Sequence, residues 1–298
     1  MKRREFMRTA LYGSMLLNID SKLFNLENTS PDLAVVQGGT PDLITRIAID
    51  LLGGIKQFVS RGDVVMIKPN IAFSRTPEQA GCTNPEVVRT LVKLCFDAGA
   101  KEVKVMDNPV SSAQSTYKRS GIEKAAKEAG ALVLYPEPER LKSVSIKGAY
   151  LDKQKVFTDI IEADKIINVP ILKTHGLTRL TMGMKNWLGA LGGDRDSLHP
   201  RLERVIVDLS RFFKPALIVL DAYRVLAKNG PAGRNLSDVV LLKTVVAGRD
   251  IVAVDAMGAS LCKVKPKSLG FLKLAYKQGL GEIDLNSLKI DIRATRSP

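Results

Sequence analysis

Short apolar runs alternate with amphipathic stretches along the chain from residue 31 onward. Runs with the length of buried strands occupy residues 33–36, 63–67, 102–106, 131–134, 166–169, 216–220 and 239–246. Between them, stretches such as residues 41–59 and 84–99 carry apolar side chains at three- and four-residue spacing, which predicts helices. The alternation predicts an α/β fold, with a mostly parallel sheet flanked by helices. A turn at Pro136-Glu137-Pro138 predicts two closely associated lobes, at residues 31–138 and 139–298.

The most informative segment is residues 164–193, DKIINVPILKTHGLTRLTMGMKNWLGALGG. Its first apolar run predicts a buried strand that ends at Pro170, because proline cannot donate to a strand ladder. Lys173, Thr174 and His175 follow directly. A helix is predicted next, with its apolar face formed by Leu180, Met184, Trp187, Leu188 and Leu191. On another face it would carry Thr178, Thr181 and Lys185.

Polar side chains follow several of the predicted strands. Lys68 and Asn70 follow one strand, Asp107 another, Lys173 and His175 a third, and Asp221 a fourth. The carboxyl ends of parallel strands meet at one edge of a sheet, so we expect these groups to converge there. The predicted cofactor- or anion-binding residues are Lys68, Asn70, Lys173, Lys185 and Asn186. The predicted catalytic residues are His175, as the group that transfers a proton, and Asp107.

Simpler roles compete with these assignments. Lys185 is equally compatible with a solvated helix lysine, His175 with a turn residue, and Asp107 and Asp221 with loop caps. His175 and His199 are the two histidines of the chain, and they are the candidate metal ligands. The sequence contains none of the HExxH, GxxxxGK, GxGxxG or GxSxG motifs.

Charge and cysteine content narrow the range of partners. The chain has 45 basic and 31 acidic residues, a net charge of +14, which favours anionic partners. This charge is spread out and has no aromatic interleaving, so specific nucleic-acid binding is not expected. Cys82, Cys95 and Cys262 lie far apart and form neither a disulfide framework nor a metal-binding motif. No apolar run is long enough for a transmembrane helix.

Residues 1–30 have the character of a leader. Arg3 and Arg4 precede Phe6 and a short apolar segment, which is typical of a twin-arginine export signal. Asn18 and Asp20 cut the apolar segment short, and no clear A-x-A cleavage site follows. We therefore predict export by the twin-arginine machinery to the periplasm or cell envelope, with a basic tail on a cytoplasmic protein as the alternative.

Five blocks carry a resemblance to a known family: VVMIKPN at 64–70, TNPEVVRTLV at 83–92, AGAKEVKVMDNP at 98–109, NVPILKTHGLTRLTMGMKNWLG at 168–189 and GLGEIDL at 279–285. They resemble the bacterial and archaeal family filed as domain of unknown function 362. Many members carry a ferredoxin-like cysteine cluster, which this chain lacks.

A second similarity concerns His175 and Lys185, which are separated by nine residues, as in a block of the lactate racemase family. There the lysine holds a nickel-pincer nucleotide, one histidine serves catalysis and another binds nickel. This resemblance implies Lys185 as a cofactor lysine, His175 as an acid or base and His199 as a metal ligand. That family's second catalytic histidine falls where this chain has Thr83-Asn84-Pro85.

Three functional classes follow from these observations. The leading one is a cofactor- or metal-dependent enzyme, an isomerase or oxidoreductase, that acts on a small anionic substrate. Its cofactor would be a transition metal or a nucleotide-type group. The second class is a non-catalytic carrier for a phosphate-bearing ligand, and the third is a surface-bound structural protein that uses its basic face.

Overall fold

The computed structural model of the protein describes residues 30–295. The predicted leader lies outside them, apart from Ser30, so the export signal stays a prediction. The strands are β1 (Leu33–Gln37), β2 (Val64–Pro69), β3 (Glu102–Val105), β4 (Leu132–Val133), β5 (Leu141–Ser145), β6 (Lys153–Phe157), β7 (Lys165–Val169), β8 (Ile171–His175), β9 (Arg179–Thr181), β10 (Leu217–Leu226), β11 (Val239–Gly248) and β12 (Ile290–Ala294). The α-helices are α1 (Pro41–Leu51), α2 (Pro85–Asp97), α3 (Ala113–Arg119), α4 (Ile122–Glu128), α5 (Thr158–Ile161), α6 (Gly183–Asn186), α7 (Leu202–Phe212), α8 (Ile251–Leu261) and α9 (Gly270–Lys277).

A ten-stranded sheet organises the molecule, in the order β12-β1-β11-β10-β7-β2-β3-β4, with β8 and β9 branching from β10. Strands β10, β7, β2, β3 and β4 are parallel to one another. Strand β11 runs antiparallel to both of its neighbours, and β9 runs antiparallel to β8. The predicted α/β fold with a mostly parallel sheet is therefore confirmed.

Both faces of the sheet are covered. In β1, Leu33 and Val35 belong to one apolar core, which also contains side chains of α7, α8 and α9. Ala34 and Val36 belong to the other core, with side chains of α1 and α2. The alternation follows from the period of two in a strand, and burial on both faces explains why these strands are apolar runs.

Local sequence signals set several boundaries as predicted. Helix α2 begins after Asn84, whose side chain accepts a hydrogen bond from the backbone N–H of Glu86, and Pro85 is the first helical residue. Gly121, with a φ of 75°, separates α3 from α4, because glycine adopts this left-handed conformation without steric cost. These positions place the loops that follow β2 and β3 at the carboxyl edge of the sheet.

The helix predicted across the central segment is wrong in its first half. Residues 171–181 form a β-hairpin instead, in which Lys173 pairs with Thr181 and His175 with Arg179. The helical part is the short α6, continued by a 3-10 turn at Trp187–Ala190. Asp221 likewise does not end its strand, because β10 continues past it to Leu226.

The proposed boundary between lobes at residue 138 stays a prediction. Both predicted lobes contribute strands to the main sheet, since β2 pairs with β7 and β1 pairs with β11 and β12. Within residues 30–295, no helix has the length and apolar character needed to cross a membrane.

Candidate active site

A cleft with a cavity volume of about 100 Å³ lies at the carboxyl edge of the parallel strands. It contains six of the residues predicted from the sequence: Asn70, Asp107, Lys173, His175, Lys185 and Asn186. Its other polar lining residues are Asn108, Thr181 and Arg195, and its apolar lining residues include Phe73, Val110, Leu188 and Pro231. The strand-end argument thus places distant residues together.

Lys68 and Asp107 form a buried ion pair, in which Asp107 lines the cleft and Lys68 does not. The ammonium Nζ of Lys68 lies 2.6 Å from Asp107 Oδ1, and the two side chains are 0% and 3% exposed. Asp107 Oδ2 accepts a second hydrogen bond from the backbone N–H of Ile71, at 2.6 Å. Burial lowers the pKa of Lys68, and the nearby carboxylate opposes this shift. Because both carboxylate oxygens are occupied, the pair holds the loop after β2 against the end of β3.

A close backbone approach supports this pair. A Cβ atom on Gly189 would lie 1.9 Å from Asp107 Oδ1 and 2.9 Å from Lys68 Nζ. The backbone carbonyl of Gly189 also accepts a hydrogen bond from the N–H of Asn108. Only glycine therefore allows the turn after α6 to lie against the ion pair.

Three asparagines form a buried chain of side-chain hydrogen bonds that ends at Lys173. Asn186 Nδ2 donates to Asn168 Oδ1 at 2.8 Å, and Asn70 Nδ2 donates to Asn186 Oδ1 at 3.1 Å. Asn70 Oδ1 in turn accepts from Lys173 Nζ at 3.1 Å. Asn168 Nδ2 donates to the carbonyl of Gly183 at 3.0 Å, so each of the three amides uses both its oxygen and its nitrogen, and its orientation is fixed.

Lys173 is 1% exposed and is held in place by neutral groups. Its ammonium also donates to the carbonyl of Gly81 at 2.6 Å and lies 5.0 Å from the ring centroid of Phe73. Burial lowers the pKa of Lys173 to about 8. It therefore remains mostly charged at pH 7, and no carboxylate among residues 30–295 is hydrogen-bonded to it.

Lys185 differs from Lys173 because its amine has no acceptor among residues 30–295. Its side chain lines the cleft and the residue is 8% exposed. Burial, followed by the charge of Lys173, lowers the pKa of Lys185 to about 7. About half of the Lys185 amines are consequently neutral at pH 7.

The turn that carries Lys185 is held by Asp255, a fully buried residue of α8. Asp255 Oδ1 and Oδ2 accept the backbone N–H groups of Gly183 at 2.6 Å and Met184 at 2.9 Å. Burial raises the pKa of Asp255 to about 7. Asp255 was not predicted, although a lone acidic residue within the apolar stretch of α8 is a visible signal.

His175 ends β8 beside the two lysines. Its Nδ1 accepts hydrogen bonds from the backbone N–H groups of Leu177 and Thr178, at 3.1 and 3.4 Å. Burial, followed by the charges of Lys185 and Lys173, lowers the pKa of His175 to about 3, so the ring is neutral at pH 7. The ring proton then lies on Nε2, so His175 offers a hydrogen-bond donor at the cleft, and its role in proton transfer stays a prediction.

Two further cleft residues were not selected from the sequence. The hydroxyl of Thr181 is buried and has no hydrogen-bond partner within the part of the chain that the structure describes. Arg195 donates to the backbone carbonyls of Asn108 and Pro109, at 2.8 and 2.7 Å. Arg195 therefore fixes one rim of the cleft, whereas Thr181 offers a free polar group inside it.

The predicted metal ligands His175 and His199 line different cavities. His199 lies in a 3-10 turn, Asp196–Arg201, before α7, and its side chain is 44% exposed. It lines a second, more open cavity with Thr178, Arg201 and Arg204. No group of three or more His, Cys, Asp or Glu residues that could hold a metal occurs among residues 30–295. The metal pair stays a prediction.

Aspartate 221 acts as a cap, which was its alternative role. Its Oδ2 accepts the backbone N–H of Asn84 at 2.7 Å and its Oδ1 that of Tyr223 at 2.9 Å. Burial raises the pKa of Asp221 to about 6. Asp221 thus anchors the start of α2 and does not line the cleft.

Comparisons with known proteins give the chain its family. A curated relative, a thylakoid-associated protein of Synechocystis, is 26% identical over 243 residues, which cover 79% of this chain and 74% of that protein. Similar solved structures include the lactate racemase apoprotein of Thermoanaerobacterium thermosaccharolyticum, with 12% identity and a TM-score of 0.47, and a protein of Thermotoga maritima, with 13% identity and a TM-score of 0.43. The matches cover 80% and 81% of this chain but only 58% and 60% of those chains. The family model described as domain of unknown function (DUF362) matches residues 65–260, and the chain belongs to this family, as predicted from its sequence blocks.

Proposed function

We propose that the cleft is the active site of an enzyme that acts on a small anionic substrate. The observation that supports this most directly is Lys185, a buried amine that lines the cleft without an acceptor in the described chain. A buried lysine without a partner costs stability, since burial disfavours its charged form. Such unpartnered, perturbed groups concentrate at functional sites.

The surrounding groups have complementary tasks. Lys173, held by Asn70 and the carbonyl of Gly81, supplies a fixed positive charge for an anionic group. Neutral His175 and the free hydroxyl of Thr181 supply hydrogen-bond donors. Each oxygen of Asp107 already accepts a hydrogen bond, one from Lys68 and one from the N–H of Ile71, so we assign Asp107 the role of positioning Lys68 and this loop.

The size of the cavity limits the substrate. A cavity of about 150 Å³ accommodates benzene, and this one is about 100 Å³. The cleft therefore suits the head group of an anion, or a whole acid of two or three carbon atoms. A nucleotide would have to extend beyond it, and the second cavity, with a volume of about 510 Å³, has the arginines Arg201 and Arg204 in its lining.

The residues of the cleft fit a nucleotide-type cofactor only in part. The buried, unpartnered amine of Lys185 fits a group that is attached to or paired with this lysine. When bound, such a group would supply isomerase or redox chemistry that these side chains lack. A closed set of protein metal ligands is not found among residues 30–295. Lys173 and Thr181 would orient an anionic substrate with or without this cofactor.

A pH titration of anion binding tests the proposed site. Sulfate is the probe because its own charge stays constant in the relevant range. Binding requires charged lysines, so above pH 7 sulfate affinity should fall about tenfold per pH unit as the amine of Lys185 loses its proton. Lys185→Gln should weaken binding at pH 6 and remove this step.

Lys124→Gln is the matched control, since Lys124 is 81% exposed and lies on α4. It should leave sulfate affinity and its pH dependence unchanged. Equal affinity in wild type and Lys185→Gln at pH 6 would refute the anion site.

A non-catalytic carrier for a phosphate-bearing ligand is the second candidate. Its support is that Asp107, which lines the cleft, and Asp255, which holds the turn of Lys185, each accept hydrogen bonds at both carboxylate oxygens. A carrier needs only the cations and no free base. Turnover of any bound acid would reject the carrier, whereas binding without turnover across small acids would favour it.

We further propose that the leader directs export. The support is the Arg3-Arg4 pair followed by Phe6. Recognition of a twin-arginine signal depends on guanidinium groups and not only on charge. Replacing both arginines with lysine should therefore retain the protein in the cytoplasm, as followed by cell fractionation. An unchanged location would reject this route.

A further inference from the structure

Two amines of different character share the cleft. Lys173 uses two of its three N–H donors, to Asn70 Oδ1 and to the carbonyl of Gly81, so its nitrogen is fixed in position with one donor left for a ligand. Lys185 has no hydrogen-bond acceptor in the described residues and lines the same cavity. One amine is therefore arranged as a charge, and the other is left with an unengaged nitrogen.

We propose that Lys185 is a nucleophile that forms an imine with the carbonyl carbon of a small oxo acid, whose carboxylate is bound by Lys173. This inference rests on the proposed anion site and names its substrate class. Enzymes activate lysine for such chemistry by removing it from water or by placing it next to another cation. Both conditions hold here, because burial and the charge of Lys173 lower the pKa of Lys185 to about 7.

The surroundings of Lys185 favour a neutral, nucleophilic amine over a charged ammonium that only forms an ion pair. A lysine that only bound an anion would be best kept charged, yet Lys185 lies beside Lys173 and beside the neutral ring of His175. The turn that carries it is fixed by the two hydrogen bonds from Gly183 and Met184 to Asp255. The nitrogen is thus held on a rigid element that directs it into the cavity.

The proposed step is balanced without any further reactant. The lone pair of the neutral Lys185 nitrogen attacks the carbonyl carbon, and the carbonyl π electrons move to the oxygen, which takes up a proton. The nitrogen then passes a proton to that hydroxyl, the C–O bond breaks and water departs, and the nitrogen lone pair forms the C=N bond of a protonated imine. The hydroxyl of Thr181 and the Nε2 proton of His175 are the donors available to hydrogen-bond that oxygen.

The cavity volume restricts the oxo acid. At about 100 Å³ it admits compounds smaller than benzene, such as two- or three-carbon oxo acids. The substrate needs a carboxylate to form an ion pair with Lys173. Its carbonyl must be adjacent to that carboxylate, because both groups have to fit the same small cavity. Neutral aldehydes of equal size lack the group that Lys173 binds.

Trapping of the imine tests the proposal. The full-length protein is incubated at pH 7 with glyoxylate and cyanoborohydride, which reduces an imine to carboxymethyl-lysine, and the modified lysines are located by peptide mass spectrometry. At this pH about half of the Lys185 amines are neutral, compared with roughly 1 in 3,000 for an ordinary lysine amine with a pKa of 10.5. We expect Lys185 to be modified at least about tenfold faster than Lys124, the exposed internal reference.

Two variants and one second probe complete the design. Lys185→Arg keeps a positive charge but has no primary amine, so it should lose the selective modification and retain sulfate binding. Lys185→Gln should lose the modification and weaken sulfate binding, and thermal denaturation shows whether each variant is folded. Acetaldehyde in place of glyoxylate should modify Lys185 at least about tenfold more slowly, because it has no carboxylate for Lys173.

The outcomes separate this inference from the proposed function. If sulfate binds as predicted but Lys185 reacts no faster than Lys124, the imine is refuted while the anion site stands. If neither occurs, both proposals are wrong. Equal reaction with acetaldehyde and glyoxylate would refute the oxo-acid class.

Discussion

Replacing Asp107 with asparagine tests whether this residue stabilises the structure around the cleft. The substitution keeps the shape of the side chain but removes the negative charge beside Lys68, which is 0% exposed. The new amide can accept only one of the two hydrogen bonds that Lys68 and Ile71 now donate. We therefore expect a large loss of stability.

The size of this loss can be bounded. Removing one partner of a buried ion pair costs about 3–5 kcal/mol. Lys68 can escape by losing its proton, and at pH 7 this costs about 4.8 kcal/mol, since each pKa unit below 10.5 is worth about 1.36 kcal/mol. Both routes give a decrease of about 3–5 kcal/mol in the free energy of unfolding.

Urea denaturation at pH 7 measures this decrease. Glu162→Gln serves as the control, because Glu162 pairs with Lys142 at 2.8 Å on the surface, with 59% and 65% exposure, and should lose at most about 1 kcal/mol. Adding Lys68→Met to Asp107→Asn should recover part of the loss by removing the buried charge. If Asp107→Asn cost no more than Glu162→Gln, the structural role of Asp107 would be refuted.

Two further substitutions have opposite expected effects. Gly189→Ala should destabilise the fold by about 1–3 kcal/mol or more, because its Cβ would overlap Asp107. Gly176→Ala should change thermal stability little, because no atom lies within 4 Å of the new Cβ. Equal melting temperatures for the two variants would contradict the packing argument. Thr181→Val should leave the melting temperature unchanged or raise it, because it removes a buried hydroxyl without a partner. It should nevertheless weaken sulfate binding, and calorimetry showing unaltered affinity would exclude Thr181 from the site.

The main elements could be predicted because their signals are local. Parallel strands buried on both faces require continuous apolar runs, and β2 and β7 have them. The start of α2 follows from Asn84 and Pro85 alone. The convergence of Asn70 and Lys173 followed from one topological rule, that parallel strands end at the same edge.

The hairpin of the central segment could not be distinguished from a helix. Leu180, Met184 and Trp187 are spaced at four and three residues whether the segment forms a hairpin or a helix. A short apolar pattern of this kind does not distinguish a strand from a helix. The outcome depends on Lys173 pairing with Thr181 across the turn at Gly176. The sequence pattern does not contain the energy of that pairing.

Individual roles in the cleft depend on contacts between distant segments. Lys68 and Asp107 are 39 residues apart, and their pairing at 2.6 Å could not be read from the sequence. Asp255 acts on the backbone of Gly183, 72 residues away, so its role requires knowledge of how α8 packs. From residue type alone, Lys68, which pairs with Asp107, could not be distinguished from Lys185, whose amine has no acceptor among residues 30–295.

The pKa of Lys185 tests the account most directly. Competitive labelling with a trace of acetic anhydride, from about pH 5 to about pH 11, follows the neutral fraction of each lysine amine, with peptide mass spectrometry as the readout. The account predicts that the reactivity of Lys185 rises with a midpoint about pH 7, while Lys185→Arg confirms the assignment. A midpoint above about pH 10, as for an ordinary lysine, would contradict the claim that this cleft holds a neutral, reactive amine.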